Sequence, residues 1–168
     1  MSNHTTTEFR MEYRFKATRE QVFNAFSDAA ALNEWWGPVE MRNSVISLDF
    51  RPGGIFHFRM EGQGQVNYGR FLFRDIQPPH LLEFTNAFAD EQARVVKAPF
   101  DMPFPREILY RITLRQEGEE TVLSLTGRPL EASGEEAASF LAINGSMQEG
   151  FGGTFGQLAI YLHKINSI

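Results

Sequence analysis

Residues 133–162, SGEEAASFLAINGSMQEGFGGTFGQLAIYL, decide how this chain folds. Ser133 with Glu136 three positions on has the spacing of a capping box, which opens a helix. Beyond it Ala137, Phe140, Ile143 or Asn144, Met147, Phe151, Phe155, Leu158 and Leu162 recur in steps of three and four. That period predicts one apolar helix face over roughly eight turns. The stretch also holds Gly145, Gly150, Gly152, Gly153 and Gly156. Each interior glycine costs a helix about 0.5–1 kcal/mol relative to alanine, so the set calls for a reason. Close approach to the sheet or a loop is one, a bend is another, and a break near Gly145 into two helices is a third. A helix with a single apolar face needs a partner layer to cover it.

The residues upstream supply that layer. In residues 8–16, Phe9, Met11, Tyr13 and Phe15 alternate with Arg10, Glu12 and Arg14, the period of a half-buried strand. Thr18 and Gln21 then form a second capping-box spacing, followed by Val22, Phe23 and Phe26. Asp28 caps another short helix carrying Leu32, Trp35 and Trp36, which Gly37-Pro38 stops. Strands are predicted over residues 40–50, 55–61, 65–76, 81–88, 106–116 and 121–128, joined mostly by short turns such as Gly62-Gln63-Gly64. Sequential antiparallel pairing follows from those turns. In residues 55–61 the parity sets His57 opposite Phe56 and Phe58, toward solvent. Residues 89–105 break the pattern: Pro99, Pro103 and Pro105 alternate with Phe100, Met102 and Phe104. A long loop with apolar residues between prolines is expected to lie on the protein, as a lid over a cavity mouth. The order of elements reads as an α+β fold, a curved antiparallel sheet of about seven strands around a long C-terminal helix, with two short helices after the first strand.

With 168 residues, 42% hydrophobic and 22% charged, the chain is expected to form one globular domain over 1–168, residues 1–7 being disordered. Sixteen phenylalanines exceed what a minimal core needs and point to a thick core or an apolar pocket. The absence of cysteine excludes disulfides, thiolate metal sites and a cysteine nucleophile. No apolar leader or membrane-length run is present, so a cytoplasmic protein without membrane insertion is expected. A net charge of −5 with no basic run opposes a nucleic-acid partner.

Four stretches carry a resemblance to a known family. They are residues 18–26, TREQVFNAF; residues 32–38, LNEWWGP; residues 51–56, RPGGIF, leading to residues 76–85, IQPPHLLEFT; and residues 146–158, SMQEGFGGTFGQL. In this order they resemble the helix-grip fold of the START-like superfamily, also called SRPBCC or Bet v 1-like. Within it the chain is most similar to bacterial proteins related to the C-terminal domain of the heat-shock-protein ATPase activator, the activator of Hsp90 ATPase homologue-like family. The superfamily includes lipid carriers, hormone receptors, aromatic cyclases and co-chaperone domains, so the resemblance implies a fold more sharply than an activity.

The fold so implied leaves room beneath the helix. Trp35, Phe56, Phe58, Phe71, Phe73, Phe84, Asn86, Phe88, Tyr110, Met147, Phe151 and Phe155 are then the expected walls of a ligand cavity. Asn86, Tyr110, Asn67 and Asn144 are its candidate polar groups. The expected occupant is a small hydrophobic or aromatic molecule. A protein partner in the manner of a co-chaperone, or a cyclase or hydrolase using the same cavity, are the alternatives, and a homodimer is compatible with each. No catalytic residue is assigned, because no strong acid or base falls among the walls. His4, His57, His80 and His163 are scattered without metal-ligand spacing, so neither metal nor cofactor is expected. The cluster Gly150-Phe151-Gly152-Gly153-Thr154-Phe155-Gly156 departs from the dinucleotide fingerprint at Phe155 and sits inside a helix.

Overall fold

The computed structural model describes residues 8–166, and the expectation for residues 1–7 lies outside them. The first strand, β1 (Phe9–Phe15), leads into α1 (Arg19–Asn24) and α2 (Ala29–Trp35). A meander follows: β2 (Arg42–Leu48), β3 (Ile55–Gly62), β4 (Gln65–Gln77), β5 (Leu81–Ala89), β6 (Ile108–Glu117) and β7 (Glu120–Pro129). Two helices close the chain, α3 (Gly134–Ala142) and α4 (Asn144–Ile165). The strands form one antiparallel sheet in the order β1-β7-β6-β5-β4-β3-β2. The two strands that α1 and α2 connect are therefore its opposite edges, so the short helices must cross the open end of the sheet.

Capping begins the helices where the sequence predicts. Thr18 and Ser133 each accept a hydrogen bond from the backbone three residues on, and Gln21 and Glu136 return the bond. Asp28 accepts from the Ala30 amide. Between strands, Gln63 and Gly64 both take positive φ in a two-residue turn, the geometry that matches strand twist.

Directly paired residues share a face, so the register defines rows across the sheet. One inner row runs Phe73, Phe84, Tyr110, Gly127, Phe9. Another runs Val45, Phe58, Gly69, Phe88. Each has a glycine beside an aromatic. A Cβ on Gly127 would lie 2.5 Å from the Tyr110 ring, and one on Gly69 would lie 2.6 Å from the Phe58 ring. The rings lie down over their glycine neighbours, which a larger residue would prevent.

Of the readings offered for the glycine-rich stretch, the break into two helices is the one found. The break falls at Ile143, just before Gly145, where ψ is 14°. Within α4 the apolar stripe buries Phe155, Leu158 and Leu162 against Trp35, Phe15 and the rest of the core. Close approach accounts for only part of the glycine content. A Cβ on Gly153 would meet Val39 at 2.9 Å, but Gly145, Gly150 and Gly152 have open space where a Cβ would be.

Two side chains of α4 tie it to the end of α2. Gln157 Nε2 donates to the carbonyls of Trp35 (3.1 Å) and Gly37 (3.0 Å), and Thr154 Oγ1 donates to Gly37 (2.9 Å). Helix ends leave carbonyls without intrahelical donors, and here α4 supplies them.

His57 does not face solvent. It is 4% exposed, with Nε2 2.9 Å from the Asp90 carbonyl. The parity argument places its side chain on the outer face correctly. It misses that the chain after β5 folds back there, with the Val96 amide donating to Phe88 and Arg70 donating to the Ala93 carbonyl.

Gln157→Ala leaves the Trp35 carbonyl without its side-chain donor. The expected loss is about 1–2 kcal/mol of stability, read as a lower midpoint in urea denaturation.

Candidate functional site

Beneath the first half of α4 the side chains leave a half-open cavity of about 360 Å³. Its floor is the inner face of the sheet: Phe58 and Met60 from β3, Gly69 from β4, Asn86 to Phe88 from β5, and Ile108 and Tyr110 from β6. Ile143, Met147, Gly150, Phe151 and Thr154 form the roof. Trp36, Gly37 and Pro38 close one side, and Phe100 with Phe104, Pro105 and Arg106 the other.

The space has identifiable causes. β6 pairs with β5 only as far as Asn86, so Phe88 has no strand neighbour on that side. The segment of Phe100 and Phe104 fills the gap with loop, Phe100 sitting edge-on to both Phe88 and Phe104. Gly69 in the floor and Gly150 in the roof contribute no side chain. Gly150 lies between Met147 and Thr154 on one helix face, and all three line the space.

Polar groups are few. Asn86 Nδ2 donates to the Arg70 carbonyl (3.1 Å), which orients the amide and leaves Oδ1 without a donor among the described residues. Tyr110 is 4% exposed, and its hydroxyl has no hydrogen-bond partner among the described residues. Burial pushes its pKa well above the ordinary tyrosine value of 10.0, so the phenol stays neutral. The Trp36 indole nitrogen is sealed without an acceptor, its ring edge-on against Phe58 and Phe71. Arg106 is the one charged residue of the lining. A proton transfer in the cavity would thus have no carboxylate, imidazole or amine to use. Among the described residues no group of three or more His, Asp or Glu could hold a metal ion, and no helix is long and apolar enough to cross a membrane.

Of the twelve residues expected as walls, Phe58, Asn86, Phe88, Tyr110, Met147 and Phe151 line the cavity. Trp35, Phe56, Phe71, Phe73, Phe84 and Phe155 do not; they are packed core. Trp35 is fully buried, with its indole N–H donated to the Ala25 carbonyl at 3.0 Å. Phe71 and Phe84 stack at 4.0 Å, and Phe56 and Phe73 sit edge-on to Phe71. Asn67 and Asn144 are outside the lining. Phe104 belongs to the segment expected as a lid, while sequence reasoning missed Met60, Gly150 and Thr154. For Gly150 a signal existed: a helix-interior glycine in phase with Met147 and Phe151.

The sequence matches the family described as Activator of Hsp90 ATPase homolog 1-like protein over residues 16–163. The chain belongs to this family. Several solved bacterial structures share the helix-grip fold of this Activator of Hsp90 ATPase homolog 1-like chain. A protein from Mycobacterium smegmatis is 24% identical with a TM-score of 0.75, the match covering 94% of this chain and 91% of that one. A protein from Arthrobacter aurescens is 26% identical with a TM-score of 0.77, covering 94% and 87%. The AHSA1 protein from Silicibacter pomeroyi is 23% identical with a TM-score of 0.70, covering 93% and 97%. Comparison with curated proteins finds no match.

The Tyr110 environment has a consequence at high pH. The unfolded chain releases the phenolic proton near 10 and the folded chain only above it, so stability is full below pH 10 and falls as the pH rises further. Denaturation midpoints should decline above pH 10, and Tyr110→Phe should make that decline shallower.

Proposed function

We propose that this protein binds a small hydrophobic or aromatic molecule in the cavity between the sheet and α4. The observation that carries the reading is an apolar, half-open space of about 360 Å³ between the sheet and α4. It would hold about a dozen waters at their liquid share of about 30 Å³ each, yet its walls offer them few partners. The volume lies within the range of small-molecule sites, about 300–1,000 Å³. Apolar burial at about 25 cal/mol per Å² then supplies most of the binding energy. Phe100, 41% exposed at the rim, is where we place the entrance, with the surrounding loop as its lid.

Co-chaperone-like docking and cyclase or hydrolase chemistry draw less support. The first is expected of a filled core with a conspicuous apolar patch, and the second needs an acid or base in the lining.

Gly150→Leu tests the reading without confounding it by misfolding. A side chain there enters open space, and leaving glycine favours the helix by about 0.5–1 kcal/mol. The variant should melt no lower than the parent, yet take up the apolar dye Nile red at least tenfold more weakly. Undiminished uptake would mean that the dye binds elsewhere.

A further inference from the structure

Tyr110 and Asn86 stand on adjacent strands and face the same space. Phe84 pairs with Tyr110 and Asn86 with Ile108, so the two polar residues are diagonal neighbours on the inner face. Their free atoms are complementary. The Asn86 amide nitrogen is taken by the Arg70 carbonyl, so what it offers the cavity is Oδ1, an acceptor. The neutral Tyr110 phenol offers a donor that no described residue accepts. Neither oxygen is among the fully sealed unpartnered atoms, and both residues line the cavity. A pure hydrocarbon would cover both groups and match neither, and buried polar groups without partners are costly. A hydroxyl both accepts from Tyr110 and donates to Asn86 through a single oxygen atom and stays uncharged.

We propose that the cavity selects a flat aromatic molecule bearing a hydroxyl, a phenol-type ligand. Its ring lies among Phe58, Met147 and Phe151, and its hydroxyl lies between Tyr110 and Asn86. This rests on the cavity-binding reading above and adds the chemistry of the occupant.

A matched series of two-ring probes separates the two claims. The probes are 2-naphthol, 2-methoxynaphthalene and 2-methylnaphthalene, each competed against Nile red on the whole protein. A purely apolar cavity prefers the methyl compound over the naphthol, about fourfold for one buried carbon. Two hydrogen bonds of ordinary net worth reverse that order and leave 2-naphthol about tenfold tighter. The methoxy compound, which accepts but cannot donate, should fall between. Tyr110→Phe and Asn86→Leu should each cut the naphthol preference to about threefold or less, while affinity for 2-methylnaphthalene holds or rises. Equal or tighter binding of 2-methylnaphthalene to the parent protein would overturn the phenol assignment and leave cavity binding standing. An undiminished naphthol preference in both variants would also overturn it. Failure of every naphthalene and of Nile red to bind would overturn both claims together.

Discussion

The carbonyl groups at the end of α2 anchor the long helix α4. Trp35 and Gly37 present three acceptor contacts to Gln157 and Thr154, one turn apart on α4. This bond set fixes the height of the long helix at its middle. On the C-terminal side Phe155, Leu158 and Leu162 reach the core and close it. On the N-terminal side the helix runs over a sheet whose sixth strand has already ended. The clamp is therefore the boundary between a packed half and an open half, and Thr154 belongs to both, as donor and as wall.

Both halves use the same residue type. In the packed half phenylalanine rings meet rings at short range, as Phe71 and Phe84 do at 4.0 Å. In the open half Phe58, Phe88 and Phe151 also meet rings, Phe71, Phe100 and Tyr110 among them, but they line the cavity as well. Offset and edge-on ring contacts contribute about 0.5–1.5 kcal/mol each beyond simple burial, so the packed half can carry the fold's stability. The open half can then leave surface unmatched. Stability and capacity are divided along one helix rather than traded at each residue.

The fold was legible because its signals are local. Strand alternation at Phe9 to Phe15, the capping boxes at Thr18 and Ser133, and the steps of α4 each depend on nearest neighbours in the chain. The family resemblance, spread over nearly the whole sequence, pointed the same way. Phe56 and Phe58 both face inward by parity, yet one is core and one is wall. What separates them is how far β6 extends along β5, a property of neither residue. His57 was misjudged for a similar reason: parity gives its face, but the covering chain is contributed by residues 90–96. The Trp35-Trp36 pair shows the limit most plainly, since one helical step of about 100° puts the first in the core and the second on the cavity. The glycines of α4 are costly on the sequence alone, and close packing explains Gly153; Gly150 has the phase of Met147 and Phe151, but that this phase meets a cavity depends on the sheet opposite.

That empty space makes Gly150 a competitor in waiting. A side chain grafted at this position would be a tethered ligand, present at an effective concentration that no diffusing molecule reaches. Occupancy from within and occupancy from solution draw on the same volume and stabilise the folded state by the same mass action. The affinity of the cavity for any visitor is thus set partly by a residue that never touches it with a side chain.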